Sequence, residues 1–191
     1  MKETIEIRWH GRAGQGVVTA AATLADVVAS VEGMFVQAFP EFGAEKRGAP
    51  IMAFNRISRR PIRIHSQVYE PDIVVVTDPS LIGMVDLTSG AKPDALYLFN
   101  TVFDLQAIRK KLKIADGRVF GLDAYTIAEA ELGRPIPNVP MVAALIKITN
   151  LMDLDLFKEK IRVSLSKKLR PEIVEMNMKT IDRAFEEVKE G

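Results

Sequence analysis

Ile5-Glu6-Ile7-Arg8-Trp9-His10 runs straight into Gly11-Arg12-Ala13-Gly14-Gln15-Gly16, and Val17 to Val31 then follows with Asp26 as its one charged residue. Ile5, Ile7 and Trp9 alternate with Glu6 and Arg8, a period of two that predicts a strand. The Ala-, Val- and Leu-rich stretch behind the glycines predicts a helix buried on most sides, closed by Gly33. A strand, a glycine loop and a buried helix in immediate succession open an α/β fold.

Further along, Met34 to Phe39 reads as a second strand. Pro40 to Pro50 reads as a long polar loop carrying Glu41, Gly43, Glu45, Lys46, Arg47 and Gly48. Ile51 to Ile57 and Ile62 to His65 read as strands of an antiparallel hairpin turned at Ser58, Arg59, Arg60 and Pro61. Ile73 to Thr77 is a continuous apolar run ending in Asp78-Pro79, the pattern of a central strand followed by a helix start. Ala95 to Phe99 and Val119 to Leu122 repeat it, with helices expected at Asp104 to Leu112 and Ala124 to Leu132. Beyond Pro140 strand signals cease, and helices are expected at Met141 to Leu151, Leu154 to Leu165 and Pro171 to Val188. The fold class expected is α/β: a three-layer α/β/α Rossmann-like domain with a mixed, mostly parallel sheet, an antiparallel hairpin and C-terminal helices. Residues 1–191 form one domain in this reading, with an α/β core over about 1–140 and a helical part over 141–191. The last helix, amphipathic through Ile173, Ile181, Phe185 and Val188, is expected to pack against the sheet, the alternative being a partner-binding arm.

Composition narrows the chemistry. Lys and Arg number 26 against 25 Asp and Glu, so the net charge of +1 singles out neither nucleic acid nor membrane as partner. With no cysteine in the chain, disulfides, thiolate zinc sites, cysteine-ligated iron–sulfur clusters and cysteine nucleophiles are excluded from it. Met1 to Trp9 lacks the apolar core of a signal peptide and no apolar run approaches about 18 residues, which makes a cytoplasmic location the default.

The glycine loop places backbone N–H groups at a helix N-terminus, where an anion is favoured. Arg12 and Gln15 add a guanidinium and an amide suited to phosphate or carboxylate oxygens. The spacing G-x-x-G-x-G departs from the dinucleotide fingerprint G-x-G-x-x-G, and Val36 and Gln37 stand where an acidic residue would hold a ribose; NAD is disfavoured. No lysine follows the last glycine, so a nucleoside triphosphatase has little support. A tight crossover that binds nothing accounts for the glycines equally well.

Gly11-Arg12-Ala13-Gly14-Gln15-Gly16-Val17-Val18-Thr19-Ala20-Ala21 and Phe39-Pro40-Glu41-Phe42-Gly43-Ala44-Glu45-Lys46-Arg47-Gly48-Ala49-Pro50 together resemble the gamma subunit, or gamma domain, of pyruvate:ferredoxin oxidoreductases. The likeness continues through Pro71-Asp72-Ile73-Val74-Val75-Val76-Thr77-Asp78-Pro79 and from Asn138 to Ile146, nearly the whole chain. Ala13, Glu41, Ala44 and Lys46 depart from the residues familiar in the two motifs. The resemblance implies a subunit supporting CoA-dependent oxidative decarboxylation of pyruvate to acetyl-CoA with electron transfer to ferredoxin, inactive alone. It implies alpha, beta (thiamine-binding) and delta (ferredoxin-like) partners that carry thiamine pyrophosphate, magnesium and the iron–sulfur clusters, with nothing permanently bound here. Coenzyme A or a subunit junction would be bordered by Gly11, Arg12, Gly14, Gln15, Gly16, Glu45, Lys46, Arg47 and Gly48; no residue is assigned as catalytic or as a metal ligand. Alternatives are a gamma subunit acting with 2-oxoisovalerate or another 2-oxoacid, a purely structural docking subunit, and a free-standing nucleotide-binding oxidoreductase. His10 and His65 are read as structural, Asp78 as a helix cap, and Met34, Phe35, Met52 and Phe54 as core or interface positions.

Overall fold

The computed structural model describes residues 3–41 and 46–191. The elements run β1 (Thr4–Arg12), α1 (Val17–Ala29), β2 (Phe35–Pro40), β3 (Pro50–Ser58), β4 (Ile73–Val76), β5 (Leu96–Asn100), α2 (Leu105–Leu112), β6 (Arg118–Leu122), α3 (Ala124–Leu132), α4 (Asn138–Thr149), α5 (Leu154–Ser166), α6 (Pro171–Glu187) and β7 (Lys189–Glu190). Among the described residues one sheet of seven strands has the order β2-β3-β1-β4-β5-β6-β7. β1, β4, β5 and β6 are mutually parallel, while β3 lies antiparallel between β2 and β1, and β7 is antiparallel to β6. The α/β/α class with a mixed, mostly parallel sheet is what the alternation of patterns predicted.

The period of two in β1 sorts its side chains between two environments. Ile7 and Trp9 join Ala20, Leu24 and Val27 of α1 and Met141 and Leu145 of α4 in the larger apolar core. Val174, Met178, Ile181 and Ala184 of α6 belong to the same core, so the last helix lies against the body of the molecule. The opposite face carries a smaller core of Val74, Val76, Tyr97 and Phe99 under Leu81, Leu87 and Ile108. There Arg8 and Arg56, both buried, reach backbone carbonyls of the irregular cover: Arg8 donates to Leu87 O and Ser89 O at 3.2 and 2.7 Å, and Arg56 to Gln67 O at 3.0 Å. Glu6 neutralises Arg56 across 2.8 Å. The polar half of the β1 alternation is therefore covered, not bathed in solvent.

Three expectations are corrected. Ile62 to His65 is not a strand: both edges of β3 are occupied, by β1 and β2, so no edge is left for it, and Arg63, Ile64 and His65 lie exposed. The antiparallel hairpin is β2–β3 instead. The helix expected after Asp78-Pro79 is a single 3-10 turn, Pro79–Leu81, because Ile82 returns to extended backbone (ψ 107°) and Gly83 takes φ +87°. Strand structure also resumes beyond Pro140, where Lys189–Glu190 pairs with Phe120 and Gly121.

Asn55, fully buried, pins the sheet to α1. It accepts from Trp9 Nε1 at 2.8 Å and donates to Ala21 O at 3.0 Å and Gln37 O at 3.3 Å. Asn55→Leu leaves a buried indole N–H and two carbonyls short of partners, and is expected to cost about 2–4 kcal/mol. Urea unfolding of the isolated chain should show a lower midpoint at an unchanged m value.

Candidate functional site

From β1 the chain leaves toward β2 on one side, and from β4, its parallel neighbour, toward β5 on the other. The sheet thus has its switch point between β1 and β4, and a crevice opens at their carboxyl ends, where α/β sheets bind ligands. The glycine loop sits at this crevice because β1 ends at Arg12 and α1 starts at Val17.

Each glycine has its own physical reason. A methyl group on Gly11 would stand 2.2 Å from both Thr77 Oγ1 and Val17 Cγ2, so only hydrogen permits β1, β4 and α1 to close up there. Gly14 and Gly16 take φ of +90° and +82°, a region that L side chains avoid. Gly16 occupies the N-cap position of α1 without a side-chain cap. The first-turn amides of Val17, Val18 and Thr19 have no intrahelical acceptor by helix geometry, and these three residues line a cleft of about 380 Å3 together with Gly14, Ile51, Ile136 and Asn138.

The two sequence motifs meet here. Ala13 donates to Ala49 O at 2.9 Å and Gly48 donates to Ala13 O at 3.0 Å, a two-bond zipper between the loops. Arg47, exposed, lies over Gly14: its Cγ is 3.8 Å from the position a methyl group would take on that glycine. Lys46 is also exposed, and Glu45 lies outside the described residues. The cleft therefore has a helix N-terminus with the Arg47 side chain close by.

Arg12 and Gln15 face a different way from what their position beside the amides implied. Arg12 donates to Ser80 Oγ at 2.9 Å, Gly48 O at 2.9 Å and Met84 Sδ at 3.4 Å, and its Nε stands 3.4 Å from the Asp78 carboxylate. It is a clasp joining the glycine loop, the Gly48 turn and the 79–84 segment. Burial tends to raise the Asp78 pKa, but bonds from the Ser80 hydroxyl and amide and from Gln15, with the charge of Arg12, outweigh it and hold the carboxyl below its ordinary value. Asp78 also caps the 3-10 turn through Ser80 N at 2.8 Å, as a capping residue should. Tyr125, at the start of α3, is pushed up to about 12 by burial and the Asp78 charge, against Arg12, so its hydroxyl stays protonated. Gln15 Oε1 is buried without a hydrogen-bond partner among the described residues.

Asn138, Ile136, Ser80 and Tyr125 were not marked as site residues in the sequence. Asn138 had a signal, since it heads an apolar helix within the resemblance; the other three approach the crevice through tertiary packing. His10 is buried and accepts from Arg8 Nε at 3.0 Å. Burial, then the Arg8 charge, lower its pKa to about 3 against a smaller pull from Asp86. Its neutral form is thus bound by the fold. The stabilisation is complete above the unfolded pKa near 6.5 and is lost as pH falls from there toward about 3, at up to about 1.4 kcal/mol per pH unit for one proton. His10→Gln should show a Tm deficit at pH 7 that shrinks by pH 4 in calorimetry; a constant deficit would refute the neutral imidazole. Among the described residues, no group of three or more His, Cys, Asp or Glu is arranged to hold a metal ion.

The fold and the cleft define an α/β domain of the doubly wound kind, with a glycine loop, a helix N-terminus and Arg47 gathered at the carboxyl edge of its sheet. A family model described as pyruvate ferredoxin/flavodoxin oxidoreductase matches residues 6–187, and the chain belongs to that family. It is 45% identical over 185 residues to the pyruvate/ketoisovalerate oxidoreductases common subunit gamma of Pyrococcus abyssi, covering 97% of both chains. The crystal structure of pyruvate oxidoreductase subunit PORC from Thermotoga maritima superposes with a TM-score of 0.85 at 39% identity, over 100% of this chain and 99% of that one. The fold recurs at 19% identity and a TM-score of 0.74 in the 2-oxoglutarate:ferredoxin oxidoreductase of Magnetococcus marinus, solved with 2-oxoglutarate, coenzyme A and succinyl-CoA bound, where it matches 31% of the longer chain. No helix among the described residues is long and apolar enough to cross a membrane.

Proposed function

We propose that the chain is the gamma subunit of a pyruvate:ferredoxin oxidoreductase, and that its cleft between Gly14, Arg47 and Asn138 receives the phosphates of coenzyme A. The observation that carries this reading is the zipper between Ala13 and residues 48–49, which sets the Arg47 side chain against Gly14 beside the N-terminus of α1. Phosphate is matched there by N–H donors and the helix dipole together with a cationic side chain. The Magnetococcus oxidoreductase that shares the fold holds coenzyme A.

In the complete reaction pyruvate, coenzyme A and two oxidised ferredoxins give acetyl-CoA, carbon dioxide, two reduced ferredoxins and a proton. Alpha, beta and delta partners supply thiamine pyrophosphate, magnesium and the iron–sulfur clusters; a chain with no cysteine offers no thiolates for a cluster. The residues of this chain bind and orient: the α1 amides hold an anionic group, Asn138 borders it, and the Arg12 clasp keeps the two loops in register. The name of the Pyrococcus relative favours a second 2-oxoacid, ketoisovalerate, used by an assembly sharing this subunit. A cytoplasmic site of action accords with the soluble substrates.

Anaerobic purification of the native complex tests the proposal, with identification of its subunits, assay on pyruvate and 2-oxoisovalerate, and hydrogen exchange with and without coenzyme A. Co-purifying thiamine-bearing and cluster-bearing subunits are expected, with slowed exchange at residues 11–19 and 46–49. A lone monomer, or no protection at either loop, overturns it and in the second case favours a purely structural subunit.

A further inference from the structure

The carboxyl edge that carries the cleft also carries an uncovered apolar surface. Val102 and Phe103, directly after β5, are 74% and 63% exposed, and Met84 is 59% exposed. The loop that presents Phe103 is ordered by a bond from its N–H to Thr101 Oγ1 at 2.9 Å. Beside Phe103 a crevice of about 470 Å3 is lined by Pro79, Ile82, Ala107 and Ile108 together with Lys111 and Asp104, whose carboxylate is taken up capping α2 through Ala107 N at 2.8 Å. The 79–84 segment that lines it is tied to the glycine loop, since Arg12 binds Ser80 and Met84 on either side of Ile82. Along α2 and just beyond it, Lys110, Lys111 and Lys113 are exposed and have no acidic partner among the described residues, whereas Arg109 is consumed by Ile114 O, Ala115 O and Gly117 O.

We infer that this edge, centred on Phe103 and the crevice beside it, is where the thiamine-bearing partner subunit seats, inserting an apolar side chain flanked by carboxylates that meet Lys110 and Lys111. The inference rests on the coenzyme A reading: a thiol held at the glycine loop must reach an acyl group that this chain does not carry, so the subunit holding the acyl group has to abut the same edge. An exposed aromatic residue beside an apolar pocket is the kind of anchor that dominates subunit interfaces. The unpaired lysines select an acidic rim and make the association sensitive to salt.

The test uses the complex assembled from all its subunits, with a photoreactive phenylalanine analogue at position 103 and, separately, the variants Phe103→Asp, Val102→Asp and Lys111→Glu. The crosslink is expected to fall on the thiamine-bearing subunit. Either aspartate variant is expected to weaken retention of this chain in the complex at least tenfold, with circular dichroism of the isolated chain unchanged because both side chains are exposed. Lys111→Glu is expected to weaken retention and flatten its salt dependence. A crosslink to a second copy of this chain or to no subunit overturns the inference, as does normal retention of both aspartate variants. A correct crosslink without coenzyme A protection of residues 11–19 would leave the docking face standing and strike the reading of the cleft alone.

Discussion

On the proposed coenzyme A reading of the cleft, Arg12→Ala is expected to raise the KM for coenzyme A of the assembled oxidoreductase at least about tenfold and to change kcat for pyruvate far less. The guanidinium donates to Ser80 Oγ and Gly48 O and stands beside the Asp78 carboxylate. Charge-assisted bonds of this kind are worth about 1.5–3 kcal/mol each, and about 1.4 kcal/mol is a factor of ten in affinity. Without the clasp, the Gly48 turn that carries Arg47 over Gly14 is held to the glycine loop by the backbone zipper alone. Arg12→Lys restores little, since a single ammonium cannot serve Ser80, Gly48 and Asp78 with the fixed fork of a guanidinium. Steady-state kinetics with coenzyme A varied at saturating pyruvate reads the effect; an unchanged KM in Arg12→Ala would show that the clasp does not shape the cleft.

Gly11→Ala is expected to be the most damaging single substitution in the glycine loop, costing about 3 kcal/mol by overpacking and lowering Tm by roughly 5–10 °C. Its added methyl meets Thr77 Oγ1 and Val17 Cγ2 at 2.2 Å, and both neighbours belong to packed elements that cannot retreat independently. Among the described residues Gly14→Ala meets only Arg47 Cγ at 3.8 Å, and its expected cost is the strain of φ +90°, about 1–2 kcal/mol. The two differ in how they are rescued. Val17→Ala removes one of the colliding methyls and should recover part of the loss in a Gly11→Ala background, with no benefit to Gly14→Ala. Thermal unfolding of the four variants decides it, and equal effects of Val17→Ala in both backgrounds would exclude the steric account.

Local patterning made most of the fold legible. The helix Ala124–Leu132 falls where its pattern placed it, between Asp123 as cap and Gly133 in a left-handed conformation. β4 was visible as an apolar run because it is covered on both faces. The hairpin partner of β3 was not legible, because a short apolar stretch such as Ile62 to His65 becomes a strand only if a sheet edge is free to receive it. The turn after Asp78 was misread for a related reason: the capping signal was real, but Gly83 and the packing of Leu81 into the second core ended the helix after one turn. β7 is two residues long and exists only because α6 delivers Lys189 and Glu190 to the open edge of β6, where Arg118 and Glu190 pair at 2.7 Å.

The site divides along the same line. Covalent identity and short-range periodicity settled the strand–glycine–helix unit and the absence of thiols, and two contiguous motifs carried the resemblance to the family, because all of these depend on residues adjacent in the chain. Which groups share the cleft was decided in three dimensions: Gly48 and Ala49 zip onto Ala13, Asn138 arrives from α4 more than a hundred positions away, and Arg12 turns toward Ser80 and Gly48. The physical reason is that hydrogen bonds and ion pairs act over about 3–4 Å whatever the distance along the chain, so only packing determines which partners come within reach.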